Sequence, residues 1–308
     1  MRKTKTSSFG VSKRESHDSS NFYSRQIFED ITNPLKVLNN VINELKNSKN
    51  INSVTRIKQQ NESNDWMNKI YCQSSENMYQ VPDESVALIF TSPPYNNGKD
   101  YDEDLSLEEY LLLLGRVGKE IYRVLKPGGR YVLNVANLGR KPYIPINSFL
   151  YFVNMEIGFK PAGEIIWQKG KGSNGNCAWG SWLSAKSPRI RDIHEYLMVF
   201  VKEDFTRKEK GISTIDREEF LSSTLSIWEV LPESAKKIGH PAPFPVDLAK
   251  RVINLFTYQN DVVLDPFNGS GTTCVAAKML KRNFVGYDIN EEYCKLAEKR
   301  LNELKEKD

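Results

Sequence analysis

Asp261-Val262-Val263-Leu264-Asp265-Pro266-Phe267-Asn268-Gly269-Ser270-Gly271-Thr272-Thr273 reads as a short apolar strand, a glycine turn and the start of a helix. Gly269 and Gly271 permit positive φ and close approach of a ligand to the backbone, and the first turn of the helix offers free N–H groups. This is the outline of a cofactor turn. It is not a dinucleotide fingerprint, because Cys274 stands where a glycine or alanine belongs, and it lacks the Gly-Lys-Ser/Thr of a phosphate loop. The next apolar run, Phe284-Val285-Gly286-Tyr287, ends at Asp288, a carboxylate able to accept both hydroxyls of a ribose. Acids at the tips of two consecutive strands point to a nucleoside cofactor.

Working outward, short β-branched runs alternate with helical patterns from Trp66 onward, which predicts an α/β sheet. The strands fall at Lys69 to Cys72, Val86 to Phe90, Tyr131 to Val135, Pro161 to Trp167, Tyr196 to Val201, Val262 to Leu264 and Phe284 to Tyr287. Helices are expected over Leu107 to Leu125, Val246 to Tyr258, Gly271 to Leu280 and Glu291 to Lys305. The first of these stops at Lys126-Pro127-Gly128-Gly129, which cannot continue a helix. Upstream, Asn33-Pro34 opens a further helix with Leu35, Leu38, Val41, Ile42 and Leu45 at helical spacing and Val37 beside them. The first twenty residues are too polar to offset the entropy of ordering and are assigned no structure. The division expected is a basic N-terminal arm over 1–65 and one catalytic domain over 66–308.

Immediately after Val86-Ala87-Leu88-Ile89-Phe90 comes Thr91-Ser92-Pro93-Pro94-Tyr95. In open α/β sheets ligands bind beyond the carboxyl ends of strands, so this turn is placed for chemistry. Two prolines fix φ and remove two N–H donors, which leaves a rigid turn rich in acceptors beside an aromatic ring. A base amino group needs acceptors for its hydrogens, and a planar ring needs a face to stack on. Ser92 and the Pro93 carbonyl supply the first and Tyr95 the second, with Pro94 stiffening the turn.

Net charge is only +4, yet residues 1 to 60 hold eleven Lys/Arg against five Asp/Glu. A second local concentration lies between Gln168 and Arg191. It carries Lys169, Lys171, Lys186, Arg189 and Arg191 without an acid, interleaved with Trp179, Trp182 and four glycines. Such a loop suits a nucleic-acid backbone and its bases. No window reaches the 18 or so apolar residues of a membrane span and no apolar leader opens the chain, so a cytoplasmic protein is expected. The four cysteines and three histidines are scattered, so no metal site is expected.

These residues resemble the permuted β class of amino-methyltransferases from bacterial DNA modification systems. There a Ser/Asp-Pro-Pro-Tyr motif precedes the target-recognition region, and an Asp-Pro-Phe-x-Gly-Ser-Gly-Thr-Thr motif follows near the C-terminus. Further stretches are similar, among them Val124 to Gly129, Ile166 to Lys169, Arg191 to Tyr196 and His240 to Pro245. The resemblance spans roughly Lys69 to Leu301. It implies a Rossmann-like methyltransferase sandwich of seven strands, with S-adenosylmethionine as cofactor, surrounded by Phe244, Asp265, Phe267, Gly269, Gly271, Thr272, Thr273 and Asp288. It also implies double-stranded DNA as substrate, read by segments near 168–191 and 203–226, and a restriction endonuclease sharing the site. In one respect the chain departs from the pattern: Ser74 stands where the family often has Asp.

Transfer from a sulfonium needs proximity and an exposed lone pair rather than a covalent intermediate. Methylation at carbon 5 of cytosine would need a thiolate, usually after proline, and no cysteine here follows one. The resemblance then implies as target an exocyclic amino group of a base taken out of the duplex. Ser rather than Asp at position 92 inclines the reading to cytosine N4, with adenine N6 as the alternative. A nucleic-acid-binding protein with a degenerate methyltransferase core is the alternative of another class. His194 and Glu195 are read as structural, because the amino proton becomes acidic only after nitrogen carries the methyl.

Overall fold

The structure is a computed structural model that describes residues 24–28, 33–47, 65–95, 104–139, 142–170, 180–231 and 244–304. Its strands are β1 (Lys69–Cys72), β2 (Val86–Thr91), β3 (Leu125–Val135), a small hairpin of β4 (Leu138–Gly139) and β5 (Tyr143–Ile144), β6 (Lys160–Gln168), β7 (His194–Val201), β8 (Ile227–Glu229), β9 (Val262–Asp265) and β10 (Asn283–Asp288). Eight of them form one sheet in the order β1-β10-β9-β2-β3-β7-β6-β8. The first five are parallel, β7 is antiparallel to both its neighbours, and β8 runs parallel to β6. The seven anticipated strands are all present. The eighth, β8, is three residues on the edge of β6.

Side-chain parity in the buried strands sorts residues to the two faces. Val262, Leu264, Val285 and Tyr287 join one core, while Val263 and Phe284 join the other. Helices α1 (Pro34–Asn47), α2 (Leu107–Val124) and α3 (Ile146–Ile157) cover the first face. On the second lie α5 (Val246–Phe256) and α6 (Thr272–Met279), preceded in the chain by the short α4 (Arg217–Ser223). The last helix, α7 (Glu291–Glu303), adds Leu301 to the second core. The start of α2 is set by a capping box. The Ser106 hydroxyl oxygen accepts from the Glu109 N–H, and the Glu109 carboxylate accepts from the Ser106 N–H.

Three local expectations are corrected. α1 is integrated into the domain rather than standing off as an arm: Val37, Leu38, Val41 and Leu45 are buried against α2 and α3, while Leu35 is exposed. Gly115 permits this approach, since a Cβ there would lie 2.7 Å from Leu45. The tail before it lies outside the described residues. Secondly, β3 begins at Leu125, directly after α2, so Lys126 to Gly129 both end the helix and enter the sheet beside Val86. Thirdly, the 203–226 stretch starts at the far edge of the sheet. Arg207 pairs with Asp261 and the Ile212 carbonyl accepts from the Gln259 N–H, both at the amino end of β9. That edge is opposite the one carrying Asp265. The rest of the stretch packs on α5, with Asn254 donating to Glu219 and Arg251 to Ser223.

Candidate active site

The carboxyl ends of β1, β2, β9 and β10 lie along one edge of the sheet, and the loops leaving them enclose a cavity of about 520 Å³. That lies within the roughly 300 to 1,000 Å³ usual for small-molecule sites. Four loops line it: Gln73 to Glu76 after β1, Ser92 to Tyr95 after β2, Pro266 to Ser270 after β9, and Asp288 to Asn290 after β10. Leu105, Tyr110, Leu113 and Val117 of α2 and its approach add an apolar wall.

In the β9 turn, Gly269 and Gly271 both adopt positive φ, +48° and +81°. Gly269 thereby donates its N–H to Asp288 Oδ2 at 2.8 Å, and the Asn290 N–H donates to Oδ1 at 2.9 Å. Burial raises the Asp288 pKa, and these two donors oppose the shift. Each oxygen keeps a further lone pair, so the carboxylate can take hydroxyls from the cavity. A side chain at Gly271 would also meet Ala297, 2.7 Å from its Cβ, which explains the glycine by packing of α6 on α7.

Phe244, Phe267, Gly269, Thr272 and Asp288 line the cavity, but Asp265, Gly271 and Thr273 do not. Asp265 is 1% exposed and accepts from the Thr91 hydroxyl at 2.6 Å, the Thr273 hydroxyl at 2.7 Å and the Phe267 N–H at 3.1 Å. It joins the end of β2, the glycine turn and the start of α6, and so shapes the cavity from behind. Burial lifts its carboxyl to about 6, the three donors opposing it. Ser74, the departure noted in the sequence, lines the cavity beside Glu76. Asn268, Asn290 and Tyr293 line it too, without any prior signal beyond their closeness to the strand ends.

Ser92, Pro93, Pro94 and Tyr95 all line the same cavity. The Ser92 hydroxyl donates to Tyr95 Oη at 3.0 Å, and the Tyr95 hydroxyl donates to Glu195 Oε2 at 3.0 Å. Burial, and then the charge of Glu195, raise the Tyr95 phenol well above its usual range, so it remains a donor. Asn134, at the end of β3, donates to the same carboxylate at 2.7 Å. Lys169 forms an ion pair with the other oxygen of Glu195. Glu195 does not itself line the cavity, but it holds Tyr95, Asn134 and Lys169, which adds named partners to the structural role expected of it. The available signal was a carboxylate at an inward position of the apolar strand His194 to Val201, 5% exposed. His194 is not in the cavity lining and meets the Tyr196 ring edge-on.

The basic loop divides. Lys169 forms an ion pair with Glu195, which balances its charge. Lys171 lies outside the described residues. Lys186 and Arg191 are exposed and Arg189 is partly so. The turn carrying them is closed by its own bonds, with the Ser181 N–H donating to Ser187 O at 3.0 Å and the Ser187 N–H to Ser181 Oγ at 2.8 Å. Trp182 is 65% exposed and Leu183 and Ile190 are more so, which places aromatic and apolar surface outward beside the charges.

The profile of the DNA methylase family, covering N6 and N4 methylases, matches residues 86–299, from β2 through most of α7. The chain belongs to this family. It is therefore a DNA methyltransferase, and family membership leaves the choice between the two amino positions open. M.BglII of Bacillus subtilis, a type II methyltransferase, is 31% identical over 249 residues, covering 75% of this chain and 68% of that one. M.MjaI of Methanocaldococcus jannaschii, also a type II methyltransferase, is 30% identical over 281 residues, covering 76% and 90%. Among solved structures, TTHA0409 of Thermus thermophilus complexed with S-adenosyl-L-methionine aligns with a TM-score of 0.61 at 29% identity. That alignment covers 76% of this chain and 93% of the other. Among the described residues no group of three or more His, Cys, Asp or Glu is gathered as a metal site, and no helix is long and apolar enough to cross a membrane.

Proposed function

We propose that the protein is the site-specific modification enzyme of a restriction-modification system and methylates N4 of a cytosine flipped out of DNA. The observation that carries this is one cavity walled on one side by Ser92 to Tyr95 and on the other by the glycine turn and Asp288. The methyl donor of the family, S-adenosylmethionine, fits that donor set. Asp288 suits its ribose hydroxyls, and Phe244 and Phe267 offer apolar faces to the remainder. When bound, it supplies a methyl already activated on a sulfonium.

The residues of the chain then have three tasks. Ser92 and the Pro93 carbonyl accept the amino hydrogens, which frees the nitrogen lone pair for attack. Tyr95 offers its ring to the base, and Pro94 keeps the turn rigid. Lys186, Arg189 and Arg191 hold the phosphate backbone, with Trp182 beside them for the bases. Ser92, neutral where adenine enzymes more often carry Asp, supports cytosine over adenine. Methylation of plasmid DNA followed by nucleoside mass spectrometry tests the assignment, since N4-methylcytosine and N6-methyladenine are distinct products. Residues 180–191 are the first proposed reading surface, and 203–226, which starts at the opposite edge of the sheet and runs back to β8 beside β6, is the second. A cognate endonuclease recognising the same DNA site, and a cytoplasmic location, complete the reading.

Two measurements check the binding assignments. Asp288→Ala is expected to weaken S-adenosylmethionine binding about tenfold, as loss of a charge-assisted contact worth about 1.5 kcal/mol. Calorimetry on the folded variant with unchanged affinity would remove Asp288 from the cofactor site. Replacing Lys186, Arg189 and Arg191 together by Gln is expected to flatten the dependence of log K on log salt, by about 0.9 for each phosphate that is no longer neutralised. An unaltered slope would place the DNA on another surface.

A further inference from the structure

Ser92 carries a hydroxyl, which is both a donor and an acceptor, and the proposed chemistry needs only its acceptor side. A hydroxyl donating into the cavity would bind the amino nitrogen's lone pair and block the reaction. Something must therefore decide where the Ser92 hydrogen points.

We infer that Glu195, held by Lys169, is a positioning residue that fixes the direction of the hydrogen bonds running from Ser92 through Tyr95, so that Ser92 faces the substrate as a pure acceptor. This rests on the proposed role of Ser92 and deepens it. A carboxylate has no hydrogen to give, so at Glu195 Oε2 the Tyr95 hydroxyl can only donate, as it does at 3.0 Å. Tyr95 Oη must then accept, and the Ser92 hydroxyl donates to it at 3.0 Å. The hydrogen of Ser92 is thereby directed away from the cavity.

Asn134 reinforces the same polarity. Its Nδ2 carries two hydrogens and lies 2.7 Å from Glu195 Oε2, 3.1 Å from Tyr95 Oη and 3.3 Å from Ser92 Oγ, so one hydrogen goes to the carboxylate and the other is shared between the two hydroxyl oxygens. Among the described residues its own buried Oδ1 has no hydrogen-bond partner, so the amide is turned to present nitrogen to the chain at the expense of its oxygen. Such an orphan acceptor is costly in a buried site, and it is expected only where the alternative orientation would set oxygen against the carboxylate. Lys169 balances the charge of Glu195 from the other oxygen, with its side chain 24% exposed while that of Glu195 is 7% exposed. These bonds are already made within the protein itself, as preorganisation of the acceptor requires.

The test compares Glu195→Gln, Tyr95→Phe and the double variant with wild type and Ser92→Ala. The readouts are calorimetric S-adenosylmethionine affinity, DNA affinity and the single-turnover methylation rate. Gln keeps the shape of Glu but can donate, and Phe removes only the hydroxyl, so either releases the Ser92 hydrogen. Each single variant is expected to lose roughly 10- to 100-fold in rate with both affinities unchanged, and the double variant is expected to be no worse than the singles, because both cut one chain. A normal rate in both single variants, a loss confined to affinity, or losses that multiply in the double variant each overturn the inference. If Ser92→Ala also methylates at the full rate, the proposed role of Ser92 has failed. If only Ser92→Ala is inactive, the inference has failed alone.

Discussion

Tyr95→Ala is expected to lower the single-turnover methylation rate about 10³-fold while leaving S-adenosylmethionine binding nearly unchanged. Two losses combine. The ring that lines the cavity goes, and with it the alignment of base and methyl, where misplacement by about 1 Å can cost about 10²-fold. The hydroxyl that accepts from Ser92 and donates to Glu195 goes too. His194→Ala provides the contrast, because that side chain meets Tyr196 and does not line the cavity. It is expected to lose activity only in proportion to lost stability. Rapid-quench methylation by the two folded variants decides between them. An inactive, fully stable His194 variant beside a nearly normal Tyr95 variant would place the active site elsewhere.

Asp265 is expected to make stability fall as pH rises from about 4 to 7. Its folded pKa of about 6 lies above the ordinary 3.8, because burial opposes the charge more than three donors support it. The folded protein therefore binds this proton more tightly than the unfolded chain. Stability from this group is fully present below pH 3.8 and is lost as pH rises through 6. A shift of this size corresponds to about 3 kcal/mol. Urea unfolding of wild type and Asp265→Asn across that range isolates the term, since other groups cancel in the difference. The difference is expected to move against wild type by about 2 kcal/mol between pH 4 and 7, most of the full term. A difference that stays flat would mean that Asp265 is not buried as described. The ionised carboxylate is retained at neutral pH despite this cost because it ties Thr91, next to Ser92, to the cofactor turn.

The seven principal strands were legible because buried parallel strands read as short apolar runs bounded by turn residues. α3 was missed because Ile146–Ile157 is apolar around most of its circumference, with Phe152 and Met155 exposed, so no single stripe marks it. α4 and β8 were missed for a different reason. Their stability comes from remote partners, such as Arg251 over the Trp228 ring at 4.4 Å and Asn254 on Glu219.

The sequence by itself determined the α/β class, the two strand-end motifs and the positive-φ glycines of the cofactor turn, because each depends on residues adjacent in the chain. Which of the motif residues face the cavity was decided only in three dimensions. Asp265 and Thr273 turn into the core to bind Thr91 and Phe90, though they sit in the same motif as Gly269 and Thr272. The partnership of Tyr95 with Glu195, 100 positions away, and the capture of Lys169 by that carboxylate were likewise beyond the sequence. They arise where β2, β3, β6 and β7 are brought side by side, and a carboxylate buried there must take whatever donors the neighbouring strands present.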